Sequence, residues 1–184
     1  MPGALVLPAL WAGGRLAGND HLAALGLHAT EAVAIGLGTT AVVKSLAGRQ
    51  RPDVEPRDAS SWKLGRGWRQ TDYSSFPSGH TTIAFAAASA ISGELKAWRP
   101  DVRRWLAPVL YGGAALVGAS RIYDDEHWAS DVVAGAGIGM LAGRATVRWH
   151  QAHPDNRVDG WLLSGSLLPA AGGGAHLSMT ILLP

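Results

Sequence analysis

Long apolar stretches rich in Ala and Gly, separated by short polar clusters, fill most of this chain and predict helices. Asn19-Asp20 reads as a helix cap, and residues 21–47 follow as a first helix. Gly48 and the Arg51-Pro52 step end it, because the residue before a proline avoids the helical region. Over residues 52–77 the pattern breaks down. Pro, Asp, Ser and Gly mix there with Trp62, Trp68, Tyr73 and Phe76 without a period, which predicts a long ordered loop, a feature that is often functional in a compact domain. Further helices are expected at 78–96, stopping near Pro100, at 102–119, with Pro108 placed to kink it, and at 127–151. Near the C-terminus Leu177, Met179 and Ile181 alternate with Ser178 and Thr180 after a Gly172-Gly173-Gly174 turn. With residues 161–168 on the other side of that turn, they predict a small β-hairpin. The expected fold class is all-α: one helical-bundle domain over residues 1–184, with no internal repeat or separating linker.

Composition raises the question of solvent. The 184 residues are 47% hydrophobic and only 16% charged, with 24 glycines, where soluble domains carry about 25% charged residues and about 7% glycine. Such a chain packs helices through small residues, in water or in lipid. The glycines have no triplet period, which excludes collagen. A net charge of +2 is too small to argue for a nucleic-acid partner, and the absence of cysteine excludes disulfides, cysteine metal sites and thiol nucleophiles. The apolar N-terminal stretch lacks a basic leader and is interrupted by Pro2 and Pro8, so it is a poor secretory signal. Spanning a bilayer takes about 20 mostly apolar residues. The first helix carries His28 and Glu31, the second and third have short Ala-rich runs, and the fourth is bounded by Asp131 and Arg144. The expectation is therefore a soluble or peripheral protein, with membrane-surface contact and self-association left open.

Three polar clusters adjoin these helices. In the first, Lys44 and Arg51 are seven apart, about two helical turns, so both can face one site if the helix persists. Solvated cations at a helix end would look the same. In the second, Pro77-Ser78-Gly79-His80 leads into a helix whose first N–H groups can hold an anion, with Gly79 allowing close approach and His80 in the first turn. An ordinary cap with a surface histidine is equally compatible. In the third, Ser120-Arg121 precedes His127 and Asp131, four apart and expected on one helix face. A carboxylate holding one imidazole nitrogen leaves the other free as a nucleophile. The run Asp124-Asp125-Glu126 reads as a solvated loop rather than a Mg²⁺ site. Together the clusters offer three cations, a backbone anion nest and two histidines, the set that phosphoryl transfer requires.

Lys44 to Arg51-Pro52, Pro77-Ser78-Gly79-His80, and Ser120-Arg121 through His127 to Asp131 match the signature K-x6-RP, PSGH and SR-x5-H-x3-D at every fixed position. In this the sequence resembles the type 2 phosphatidic acid phosphatase (PAP2) superfamily, which includes bacterial acid phosphatases and vanadium haloperoxidases. The motifs span residues 44–131, about half the chain. The resemblance implies a helical bundle and a metal-independent phosphatase acting on phosphate monoesters, pyrophosphates or lipid phosphates. It also implies that Lys44, Arg51 and Arg121 hold the phosphate with Ser78 and the Gly79 N–H. His127, oriented by Asp131, would form a phosphohistidine, and His80 would protonate the leaving oxygen. No cofactor is implied, although vanadate would bind as a phosphate analogue. A vanadate-dependent haloperoxidase using the same anion site is the alternative activity. Members usually act outside the cytoplasm, so a periplasmic, secreted or membrane-associated location is expected.

Overall fold

The computed structural model describes residues 5–163 and the backbone of 165–169 and 175–179. Six α-helices occur among them: α1 (Val6–Leu16), α2 (Asp20–Ala47), α3 (Gly79–Trp98), α4 (Pro100–Tyr123), α5 (Ala129–Ala152) and α6 (Arg157–Leu163). Strands β1 (Gly165–Pro169) and β2 (Ala175–Met179) pair antiparallel, with Leu167 opposite Leu177. The all-α bundle and the small hairpin both agree with expectation. Trp161 to Leu163, however, are helical rather than part of the first strand, and Gly172–Gly174, Thr180 and Ile181 lie outside the described residues.

Local chemistry accounts for the helix ends. Asn19 caps α2 by accepting from the Leu22 N–H at 3.0 Å, and Gly48 closes it with φ 59°, a left-handed conformation that favours glycine. Pro100 stands at the start of α4, where a missing N–H costs nothing. The helix runs on through Pro108 to Tyr123, four residues past the expected end, and so carries Arg121 in its last turn. Helix α1 was not expected. Its Pro8 falls in the first turn, where the amide has no intrahelical acceptor, so the proline does not break the helix.

Helices α3 and α5 run side by side in the same direction, and α2 and α4 run opposite to them. The pairing follows a ladder of glycines on α5. A Cβ at Gly135 would lie 2.5 Å from the Ser78 carbonyl oxygen, one at Gly139 2.8 Å from the Ala86 nitrogen, and one at Gly143 2.6 Å from the Ser89 Cβ. The two backbones therefore touch, and the core is built from Ala29, Ala32, Ala86, Ala90 and Val147. Parallel α3 and α5 place both their N-termini at one end of the bundle, beside the C-termini of α2 and α4. All three polar clusters meet there.

By length and composition α2 could cross a membrane, with mean hydropathy 1.3 over its best window, although 44% of that window is buried inside the protein. The helices also carry large apolar residues outward. On α4 these are Trp105, Val109 and Leu116, on α2 Ile35, Val42 and Leu46, and on α5 Val133 and Leu141. The sequence reading had left membrane-surface contact open.

Candidate active site

The Lys44 and Arg51 side chains converge, but not along a continuous helix. Helix α2 ends at Ala47, and the chain turns back so that both reach Ser74. Lys44 Nζ donates to the Ser74 carbonyl at 2.6 Å, and Arg51 donates to the Ser74 hydroxyl at 3.3 Å. Burial and the neighbouring Arg51 charge push the Lys44 pKa down to about 8.

At the start of α3 the Ser78 hydroxyl is fully buried and accepts from Thr81 Oγ1 at 2.9 Å, so it does not cap its own helix. A Cβ at Gly79 would meet nothing nearer than the Thr40 methyl at 4.0 Å, which leaves that stretch of backbone open to an approaching anion. His80 follows in the first turn. Burial, then the Arg121 charge, lower its pKa, with His127 and Lys44 adding to the effect and Glu126 opposing it. These charges act on one another at short range, so the second cluster faces both the first and the third.

His127 stands one residue before the N-cap of α5 rather than on the helix, because Trp128 is the cap and Ala129 the first helical residue. The imidazole is buried, and its Nδ1 lies 3.8 Å from Asp131 Oδ2 with no closer acceptor. Asp131 is at the third helical position. From there it accepts from the Trp128 N–H at 2.9 Å, from Ser75 Oγ at 2.5 Å and from Arg49 at 2.5 Å. Burial alone would raise the Asp131 pKa. The contacts with His127, Ser75, Trp128 N–H and Arg49 outweigh it, so the carboxyl is held below its ordinary value.

Arg49 and Ser75 were missed by the sequence reading. Arg49 lies inside the Lys44–Arg51 motif at an unconstrained position, and its charge was its only signal. It is buried between the faces of Trp62 and Trp128, at 4.9 and 5.6 Å from the ring centres, with its guanidinium on Asp131. The acidic run is an exposed turn, as expected, and its carboxylates pair with arginines. Asp124 and Glu126 pair with Arg121 at 2.6 and 3.1 Å, while Asp125 pairs with Arg57 at 2.5 Å. Asp125 adopts φ 54°, and this sharp turn sends adjacent side chains to opposite sides. Arg121 is thus held at the site by carboxylates that an incoming anion would displace. Two of the loop aromatics hold cations. Trp62 lies under Arg49 and Tyr73 under Lys63, while Trp68 is exposed.

Two helix N-termini and the cations Lys44, Arg51 and Arg121 thus surround one point, with His127 and His80 beside it. The charge and the N–H groups of such an arrangement are complementary to a tetrahedral oxyanion. The model of the PAP2 superfamily matches residues 25–155. The chain belongs to the PAP2 superfamily. Over 73 residues, 40% of the chain, it is 42% identical to a lipid A 1-phosphatase of Porphyromonas gingivalis and covers 16% of that protein. Over 135 residues, 67% of the chain, it is 34% identical to a PA-phosphatase related-family protein of Dictyostelium discoideum, covering 46% of it. Lipid phosphate phosphatase 1 of Arabidopsis thaliana is 36% identical over 98 residues, 48% of the chain and 29% of that protein. The chain therefore spans less than half the length of these relatives. No solved structure matches it.

Proposed function

We propose that this PAP2 chain is a metal-independent phosphatase that hydrolyses phosphate monoesters or pyrophosphates, lipid phosphates foremost, through a phosphohistidine. The observation that carries the reading is the buried His127, whose Nδ1 faces Asp131 and whose other nitrogen is free to face an anion held by Lys44, Arg51 and Arg121. Asp131, fixed by three donors, stands 3.8 Å from Nδ1, beyond hydrogen-bond distance, and its charge favours the tautomer with the proton on Nδ1 and the lone pair on Nε2. That lone pair attacks phosphorus while the bond to the leaving oxygen breaks, and His80 gives its proton to that oxygen. Water then attacks the phosphohistidine, returning one proton to His80 and releasing phosphate from His127. The three cations neutralise the equatorial oxygens, so the chemistry calls for no metal.

The lipid preference draws on the names of the relatives and on the outward apolar stripes, which suit contact with a membrane surface. Action outside the cytoplasm is carried over from the family resemblance. Purified protein should release phosphate from a lipid phosphate or an aryl phosphate, and His127→Ala should abolish turnover while leaving the helical circular dichroism unchanged. Retained turnover would remove His127 as nucleophile. Bromide oxidation by peroxide in vanadate-loaded protein that releases no phosphate would establish the haloperoxidase alternative.

A further inference from the structure

A second set of chemically competent side chains lies at the opposite end of the bundle. His28 on α2 and Lys44 at the phosphate end of the same helix are 16 residues apart, which places the two sets about 24 Å from each other. The second set comprises His28 and Glu31 from α2, Glu94 from α3, His150 from α5 and Asp159 from α6. The His28 and His150 rings are buried and stacked 3.8 Å apart. None of these residues enters the phosphatase chemistry.

The orientation of the two imidazoles separates an inner from an outer side. On the outer side His28 Nδ1 meets Glu94 Oε1 at 2.8 Å, and His150 Nε2 meets Glu31 Oε2 at 2.6 Å. On the inner side His28 Nε2 and His150 Nδ1 both face Asp159, at 3.3 Å from Oδ1 and 2.8 Å from Oδ2. A neutral imidazole has one N–H. If each outer nitrogen gives its proton to its glutamate, both inner nitrogens present lone pairs to an anionic carboxylate, which is repulsive unless a cation lies between them.

Two extra protons or one divalent ion would supply the same charge. Asn156 holds the carboxylate in place: its Oδ1 accepts from the Asp159 N–H at 2.9 Å, and its Nδ2 donates to the His153 carbonyl and to Asp159 Oδ2, both at 2.7 Å.

We infer that His28 Nε2, His150 Nδ1 and the Asp159 carboxylate form a binding site for one divalent transition-metal ion of the Zn²⁺ class, with Glu94 and Glu31 fixing the two imidazoles from behind. Ligand atoms of the three residues lie within 4.8 Å of one another. A tetrahedral site with bonds of about 2.0 Å has edges of about 3.3 Å, so the set closes around an ion when the two imidazoles swing out of their stack and aim both lone pairs at it. The carboxylate behind each ligating imidazole is the usual support for a metal-bound histidine. Two imidazoles with one carboxylate suit Zn²⁺ and its neighbours better than Mg²⁺ or Ca²⁺, which take oxygen ligands. The ion would join α2 and α5 to α6, a structural role separate from the phosphate site.

The test is metal content and affinity of the full chain after removal of bound ions with a chelator. Titrated with Zn²⁺ at neutral pH, wild-type protein should bind one ion per chain and melt at a higher temperature. Asp159→Asn should weaken binding more than 100-fold, and Glu94→Gln should weaken it about 10- to 100-fold. Turnover of an aryl phosphate by Asp159→Asn should stay at the wild-type level. A wild-type chain that takes up no Zn²⁺, or Asp159→Asn that binds as tightly as wild type, would overturn the inference. Should Asp159→Asn fail to fold, nitrogen resonances of the wild type decide the matter. Zn²⁺ must shift His28 Nε2 and His150 Nδ1, and their failure to move refutes the site.

Discussion

The His80 imidazole lies among Arg121, His127 and Lys44, and burial together with those charges holds its pKa below the ordinary 6.5. The sign of the consequence is fixed. A general acid must carry its proton, and His80 carries one only below that lowered value. For alkyl phosphates, whose leaving oxygen is basic, kcat/KM should therefore fall as pH rises through the region below 6.5. His80→Asn should remove this limb and lower alkyl phosphate turnover by about 10²- to 10⁴-fold, with a smaller loss on an aryl phosphate. The check is a pH profile of kcat/KM on both substrates, and equal losses would exclude the acid role. Arg49 supports a different prediction. Its guanidinium and the Asp131 carboxylate form a buried pair, so Arg49→Ala leaves an uncompensated charge and should cost about 3–5 kcal/mol in chemical denaturation. The same substitution made on an Asp131→Asn background should cost clearly less, because the stranded charge is then absent.

At the scale of elements, the site depends on how closely α5 approaches α3. A Cβ at Gly139 would strike the Thr82 carbonyl oxygen and come within 2.8 Å of the Ala86 nitrogen, whereas one at Gly137 would meet nothing within 4 Å. Gly139→Ala should therefore destabilise by about 1–3 kcal/mol and reduce kcat, because Gly79–His80 on α3 and His127 before α5 are registered through this contact. Gly137→Ala should be neutral or stabilising by up to about 1 kcal/mol, since it only improves helix propensity. Urea denaturation of the pair separates close packing from propensity. The same contrast marks what the sequence disclosed. Caps such as Asn19, stops such as Gly48 and Pro100, and the fixed motif spacings are local, so helices α2 to α5 and the motif residues that gather at one end of the bundle were legible. Packing partners are not local. Nothing near Arg49 in sequence announces Asp131, 82 positions away. Likewise the His28–His150–Asp159 set draws on three helices and has no linear motif. Helix α1 was hidden for another reason: its proline occupies a turn position that a composition-based reading counts as a break.

For the whole molecule, the distribution of charge and apolar surface bears on where the substrate comes from. Trp105, Val109 and Leu116 recur on α4 at helical spacing and are 71%, 67% and 72% exposed. Neither α3 nor α5 covers them. Apolar stripes on α2 and α5 add Val42, at 61%, and Val133, at 72%. Each exposed side chain of this size gains about 1.5–3 kcal/mol when it leaves water, so a few of them entering lipid together would hold the chain at a membrane. A phosphate site at the helix ends would then meet lipid headgroups at the level where they lie. Purified chain should co-sediment with neutral phosphatidylcholine vesicles, which lack the anionic charge that would attract a basic protein on electrostatic grounds. Leu116→Ser with Val109→Ser should reduce that binding by about 10-fold or more, while turnover of a water-soluble aryl phosphate is retained because both side chains are exposed on the outer face of α4. Turnover of a vesicle-borne lipid phosphate should fall with the binding. If the double variant bound vesicles as wild type does, the α4 stripe would have no part in membrane contact; if it lost aryl phosphate activity as well, the effect would be on the fold.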